Sequence, residues 1–554
     1  MELIDLHTKR IMEGCKERAR EAGLSFSSES LEYIVTNRDL IELSPKVMIP
    51  TLYDYWVHDV RVLSGKGSYE LYPSNPYETV INTHPPISFY NDNNPDWLNV
   101  MIFYHVLGHI DFFQNNVYYG HTWDDDFNGQ ALSDKRLIAG LRAKKGRWVD
   151  YVIEFTRGID NLAGYYDELN NYKSGVLTTP VTKIDYYFDV FLQTEHKIKI
   201  SEFISEVERY NKCERENSEM FEDAFMKDVR KKYPEFENLY KKMLDKDLPK
   251  KMDLIQYIME NSSFLSHEEN KWMKSVMEVV RKTSIYFQPQ IRTKIMNEGW
   301  ASYWHEYLFL KDDRICGHEI DFARVNASVT SMPRVGLNPY ALGMRLFQYI
   351  EEMEEKGKYS RKFQKIFDSN KREKYNQSTN NGRKFIFEVR KNLCDSIFIN
   401  RFIDQDFVTN NKLFVTGKRV NQQKGVMEYY VKSRKAKDYK EMVLETLYHP
   451  PVIEVQEDKS NDTILYLNHF FEGKPLVEEY ITNTMLGIEY LWGGPVKLET
   501  SEVAPRVSAV PRSSIPGLPI PLPIKVADSG KQEIKWRRVL YTMKNRSISK
   551  MVLR

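Results

Sequence analysis

Residues 96–119 read DWLNVMIFYHVLGHIDFFQNNVYY. Apolar side chains at Leu98, Ile102, Val106, Ile110 and Phe113 recur close to helix spacing, so the stretch predicts a helix. At about 3.6 residues per turn, His105 and His109 lie one above the other, and both rings can reach one ion. A second stretch, QIRTKIMNEGWASYWHEYLFL at 290–310, also reads as a helix, with Pro289 near its first turn. It carries Glu298 and His305, seven residues apart and therefore on one face, with Glu306 next along.

Working outward, the pattern predicts a mainly α protein with α+β portions. Residues 1–94 read as a mixed α/β region: an amphipathic helix in MELIDLHTKRIMEGCKERAREAGL, then β-like runs at 31–35 and 79–82 among Pro and Asn turns. Residues 95–404 read as one helical body, with further helices expected at about 131–172, 188–211, 216–246, 251–262, 266–286, 340–355 and 383–402. Residues 405–502 read as a small α+β domain, with β-like runs at 412–415, 427–431, 451–455 and 463–467 and helices near 438–448 and 476–488. The remainder, 503–554, reads as a Pro-rich linker followed by a basic end, expected to be solvated and weakly ordered.

Across the 554 residues, 79 Lys+Arg stand against 78 Asp+Glu, so no overall field draws the chain to nucleic acid or an anionic membrane. Cys15, Cys213, Cys316 and Cys394 are far apart, which argues against a disulfide framework or a thiolate zinc site and favours a reducing cytoplasm. No stretch approaches the ~20 apolar residues of a membrane span. Phosphate-loop, dinucleotide and serine-hydrolase signatures are missing; the Gly65-Lys66-Gly67-Ser68 run has Val60 where a phosphate loop needs glycine.

Two imidazoles and one carboxylate leave an open position on a divalent metal, most simply zinc, as catalytic sites do. His105, His109 and Glu298 could equally be core or surface residues, with Trp300, Tyr303 and Trp304 as ordinary packing. Yet a histidine pair on so apolar a helix needs partners, and so does a carboxylate among three aromatic rings. His305 could orient Glu298, join the ligands or stabilise an oxyanion. Asp111 points to another side of its helix, and Asn115 and Asn116 suit its end. Trp56, His58, Tyr77, Glu78, His84 and His121 are candidate pocket residues as a group.

AREAGL at 19–24, YETVINTHPP at 77–86, HVLGHIDFFQNN at 105–116, IMNEGWASYWHE at 295–306, LNPYALG at 337–343 and LWGGPVKLET at 491–500 together resemble the SpoVR family, the stage V sporulation protein R group. The resemblance implies a cytoplasmic protein associated, in spore formers, with assembly of the spore cortex, a modified peptidoglycan, or with a stress response. It also implies partnership with a serine-kinase-like ATPase and a von Willebrand-type domain protein. A second resemblance is to zincin metallopeptidases, which would make the helical body zincin-like. It implies His105 and His109 as metal ligands and Glu298 as the third, with Val106 standing where the HExxH general base would be. The expected function is metal-assisted hydrolysis of an amide in a peptide or peptidoglycan-derived substrate, with His305 or Glu306 managing protons. The alternative is a non-catalytic regulatory or scaffold protein acting with the ATPase.

Overall fold

A computed structural model describes residues 2–36 except 28, 78–119 except 93, 127–163, 183–196, parts of 202–244, 252–447 except 365, 367 and 422–424, 450–504 except 472, and 535–553. The Pro-rich stretch from Pro505, the Gly65–Ser68 run, and Trp56, His58, Tyr77 and His121 lie outside these residues, as does the side chain of Glu78. The chain is mainly α with α+β parts.

A four-stranded sheet opens the fold, from β1 (Glu2–Leu3), β2 (Leu31–Val35), β3 (Glu78–Ile81) and β4 (Ile87–Asn91), in the order β1-β2-β4-β3. The β2 and β4 strands run parallel, Tyr33 beside Phe89, and the other pairs are antiparallel. The helix α1 (Leu6–Glu21) starts at Asp5, whose carboxylate accepts from the Thr8 backbone N–H.

Alongside α1 and shorter helices after residue 394, five helices shape the first core around the two motifs. They are α2 (Asp96–Asn115), α3 (Lys294–Phe309), α4 (Glu319–Thr330), α5 (Pro339–Glu355) and α6 (Gly382–Asn392). Every residue of α2 from Leu98 to Phe113 is buried, the behaviour of a helix that is apolar all round and covered on all sides. Its neighbour α3 lies so close that a Cβ at Gly108 would come within 2.8 Å of the Ala301 Cα. On the other side of α3, a Cβ at Gly299 would meet the Gly343 backbone at 2.4 Å. The glycines thus let three helix backbones approach to a separation that larger residues forbid.

Helix ends are capped from near and far. Asn338 accepts from the backbone N–H groups of Tyr340 and Ala341, and Pro339 occupies the first helical turn of α5. For α3 the cap comes from 100 residues away: Asp395 accepts from Ile295 N–H at 2.8 Å and Met296 N–H at 2.9 Å. Burial pushes the Asp395 carboxyl up to about 7, and the charge of Glu298 acts in the same direction.

A second core gathers Val149, Val152 and Ile153 of the Trp148–Arg157 helix with Val276 and Val280 of the Lys271–Arg292 helix, Met485 and Ile488 of the Glu478–Trp492 helix, and one face of a five-stranded sheet. That sheet comprises β5 (Val452–Val455), β6 (Leu465–Phe470), β7 (Val496–Val503), β8 (Trp536–Lys544) and β9 (Ser547–Val552), in the order β9-β8-β7-β6-β5. The second core therefore draws on both sides of residue 404. A separate two-stranded hairpin pairs Val415–Asn421 with Val426–Ser433.

Two expectations need correction. Pro289 does not start the second motif helix; it sits in the last turn of the Lys271–Arg292 helix, and the chain breaks at Thr293 before α3 begins. The Thr293 hydroxyl and backbone N–H both return to the Pro289 carbonyl, which closes the first helix locally. The basic end is not a solvated tail. It forms β8 and β9, joined at Asn545-Arg546, both at positive φ, the backbone that a two-residue hairpin requires. Val539, Tyr541 and Met543 are buried, while Arg537 pairs with Glu502, Arg538 with Glu499 and Lys550 with Glu502. Alternation of apolar and polar residues outweighed the positive charge, because β7 supplies the matching carboxylates. Among the described residues no helix is long and apolar enough to cross a membrane.

Candidate metal centre

The close approach of α2 and α3 brings the two sequence motifs together. His105 and His109 face Glu298, and one ligand atom of each lies within 4.8 Å of the others. His105 Nε2 is 3.1 Å from His109 Nε2, and Glu298 Oε2 is 3.5 Å from His109 Nε2. The histidines are 5% and 6% exposed, and the Glu298 side chain 18%, so the carboxylate is the member that faces outward.

The partner of its outer ring nitrogen fixes the His305 tautomer. Glu306 Oε2 accepts from Asn326 Nδ2 at 2.7 Å, which turns the Asn326 carbonyl oxygen toward His305. His305 Nε2 is 2.9 Å from that oxygen and must carry a proton to donate. Burial lowers the His305 imidazole to about 4, so the ring is neutral and its Nδ1 is bare. His105 Nδ1, 2.9 Å from His305 Nδ1, must then be the donor of that pair. Burial, with the adjoining His109 and His305 rings, holds His105 well below the usual histidine range, while a hydrogen bond to the Ala301 backbone acts the other way. His109 Nδ1 meets Asn297 Oδ1 at 2.9 Å, and its Nε2 faces His105 and Glu298.

Two imidazole nitrogens and a carboxylate oxygen therefore converge on one small volume. Buried groups of this kind need a cation or a proton shared among them. Zinc binds imidazole nitrogen at about 2.0–2.1 Å, so two ligands at a tetrahedral angle stand about 3.3 Å apart. The observed 3.1 and 3.5 Å bracket that value for two of the three pairs, the third lying within 4.8 Å, and two imidazoles with a carboxylate would leave a divalent ion a coordination position to spare.

The remaining candidates have other positions. His305 is fully buried, with one nitrogen on His105 and the other on Asn326, so it faces the back of the His105 ring. Glu306 is engaged by Asn326 and, at 3.5 Å, by Gln348. Val106 is buried in the apolar core. Asp111 accepts from Ser25 N–H and Trp300 Nε1 with Arg390 3.4 Å away; burial raises its carboxyl to about 6, and it serves packing. Asn115 ends α2, and Asn116 binds the Arg390 and Leu393 carbonyls. His84 is exposed.

Sequence reading missed Asn297 and Asn326 as orienting groups, and Gly108, Gly299 and Gly343 as the contacts that set helix spacing. Asn297 and the three glycines lie inside the quoted motifs, where a small or amide residue on the packed face was the available signal. Asn326 had none, since α4 reaches His305 only through the fold.

Comparison with known proteins agrees with the motif reading at the level of family. Uncharacterized protein YcgB of Escherichia coli (strain K12) is 23% identical over 335 residues, which span 58% of this chain and 59% of that protein, less than two-thirds of its length. No solved structure matches the chain. The family model described as SpoVR like protein matches residues 5–449, a span that holds α2, α3 and the whole histidine cluster, and the chain belongs to the SpoVR family.

Proposed function

We propose that the chain binds one divalent cation, zinc by the character of the donors, through His105 Nε2, His109 Nε2 and Glu298, and uses it to hydrolyse an amide bond. The observation that supports this reading is the convergence of two imidazole nitrogens and a carboxylate oxygen. A zinc ion held there would supply Lewis acidity, polarising a carbonyl and making water a stronger acid. Glu298 is the most exposed of the three, and its Oε1 makes no hydrogen bond among the described residues. That oxygen is the group placed to take a proton, because position 106 holds a buried valine. His305, Asn326 and Glu306 act as positioning residues that hold His105 in its tautomer, and Asn297 does the same for His109. The sporulation label of the family directs the choice of substrate to peptidoglycan-derived peptides in a cytoplasmic setting.

The test is incubation of zinc-loaded protein with peptide and muropeptide collections, read by mass spectrometry, beside His109→Ala and Glu298→Gln. Cleavage that both variants abolish supports the reading; cleavage they retain contradicts it. A second reading, a regulatory or scaffold protein working with the serine-kinase-like ATPase, is favoured by Val106 and by the ties on Glu306. It gains if metal binds stoichiometrically and no amide is cut.

A further inference from the structure

The second core contains a cavity of about 640 Å³ between the five-stranded sheet, the Glu478–Trp492 helix and the Asp160–Leu162 turn. The cavity is a cleft open to solvent on one side, and its volume and apolar lining are those of a small-molecule pocket. Its walls are mostly aliphatic, with Leu162, Leu467, Met485 and Ile488 among them, and Tyr480 at 62% exposure is the single benzene-type ring among the described lining residues. Walls of that kind suit a flexible hydrocarbon chain better than a flat ring system, which aromatic faces would hold.

The charged groups of the lining narrow the class. Among the described residues no Asp or Glu contributes to it, and Lys474 is its lysine. Lys474 is exposed and makes no ion pair among the described residues. His469, buried deeper, holds its Nδ1 2.7 Å from the Thr500 hydroxyl. The rim therefore offers a cation and the interior offers aliphatic carbon.

We infer that this cavity binds the aliphatic chain of an anionic amphiphile of the long-chain carboxylate class, with Lys474 at the rim meeting the carboxylate. The site is independent of the histidine cluster, which belongs to the other core. Titration of full-length protein with monomeric dodecanoate by calorimetry should give saturable one-to-one binding. Dodecyltrimethylammonium, with the same chain and the opposite head charge, should bind at least about tenfold more weakly. Lys474→Glu, an exposed change that leaves the fold intact, should weaken dodecanoate about tenfold. Met485→Trp, which fills the cavity, should abolish binding, and His105→Ala should not alter it. The inference is overturned if dodecanoate does not saturate, if Lys474→Glu binds as tightly as wild type, or if the protein binds only phosphatidylglycerol vesicles. Should Met485→Trp not fold, the head-charge pair and Lys474→Glu still decide.

Discussion

His105 Nδ1 lies 2.9 Å from His305 Nδ1, across 200 residues of sequence and across the interface of α2 and α3. The contact makes the His105 ring the end of a chain that starts at the Glu306 carboxylate and passes through Asn326 and His305. Donation along it runs from His105 to His305, to Asn326 and to Glu306, and His105 Nε2 faces His109.

Asn326→Ala removes the group that sets the His305 tautomer without touching a ligand. Metal affinity should fall about 10–100-fold, the usual cost of losing an outer hydrogen-bond partner. Chelator competition on folded protein measures it, and an unchanged affinity would show that His305 is only packing.

Gly299→Ala places a methyl group against the Gly343 backbone, where a Cβ would sit at 2.4 Å. Backbone on both sides cannot yield as a side-chain tip can. The expected loss is about 1–3 kcal/mol or more in urea unfolding, with weaker metal binding in whatever folds. Gly140→Ala, with nothing within 4 Å of its Cβ, is the control and should be silent or stabilising.

Asp312 is buried beside Tyr104, whose hydroxyl donates to it at 2.7 Å, and Arg314. Burial opposes its charge, but the Arg314 and Tyr104 hydrogen bonds outweigh burial and hold the carboxyl at about 2. A pKa depressed from 3.8 stabilises the fold fully above about pH 4, and the contribution disappears as pH falls toward 2. Asp312→Asn should cost on the order of 2 kcal/mol at pH 7 and flatten the acid limb of the stability profile between pH 4 and 2. An unaltered acid limb would remove Asp312 from the account of acid stability.

Truncation before Trp536 strips β8 from β7 and uncovers the core that Val539, Tyr541 and Met543 fill. Loss of three large buried side chains should destabilise that core by well over about 3 kcal/mol and promote association through the bared β7 edge. Thermal melting with light scattering checks this. A truncation that melts like the full chain would restore the view of a solvated end.

The sequence showed the metal-ligand candidates because a spacing of four on an apolar helix already places two imidazoles together, and the NEGW stretch needed only a second helix at hand. The place of His305 was not legible. Sharing a helix face with Glu298 tells which way it points, whereas Asn326 on α4 and the Gly108–Ala301 approach decide what it meets. Proline at 289 was read by its preference for helix starts, yet the Thr293 bonds to its carbonyl closed a helix around it. At the C-terminal end, net charge concealed a two-residue alternation whose counter-charges, Glu499 and Glu502, sit on a strand over thirty residues earlier.

Metal content of protein purified without chelators or a histidine tag, measured by mass spectrometry beside His105→Ala and Glu298→Ala, tests the centre most directly. The account predicts about one divalent ion per chain in the wild type, zinc for preference, with most of it lost in each variant while circular dichroism stays native. Folded wild-type protein that carries no stoichiometric metal and takes up none from zinc solution would contradict it.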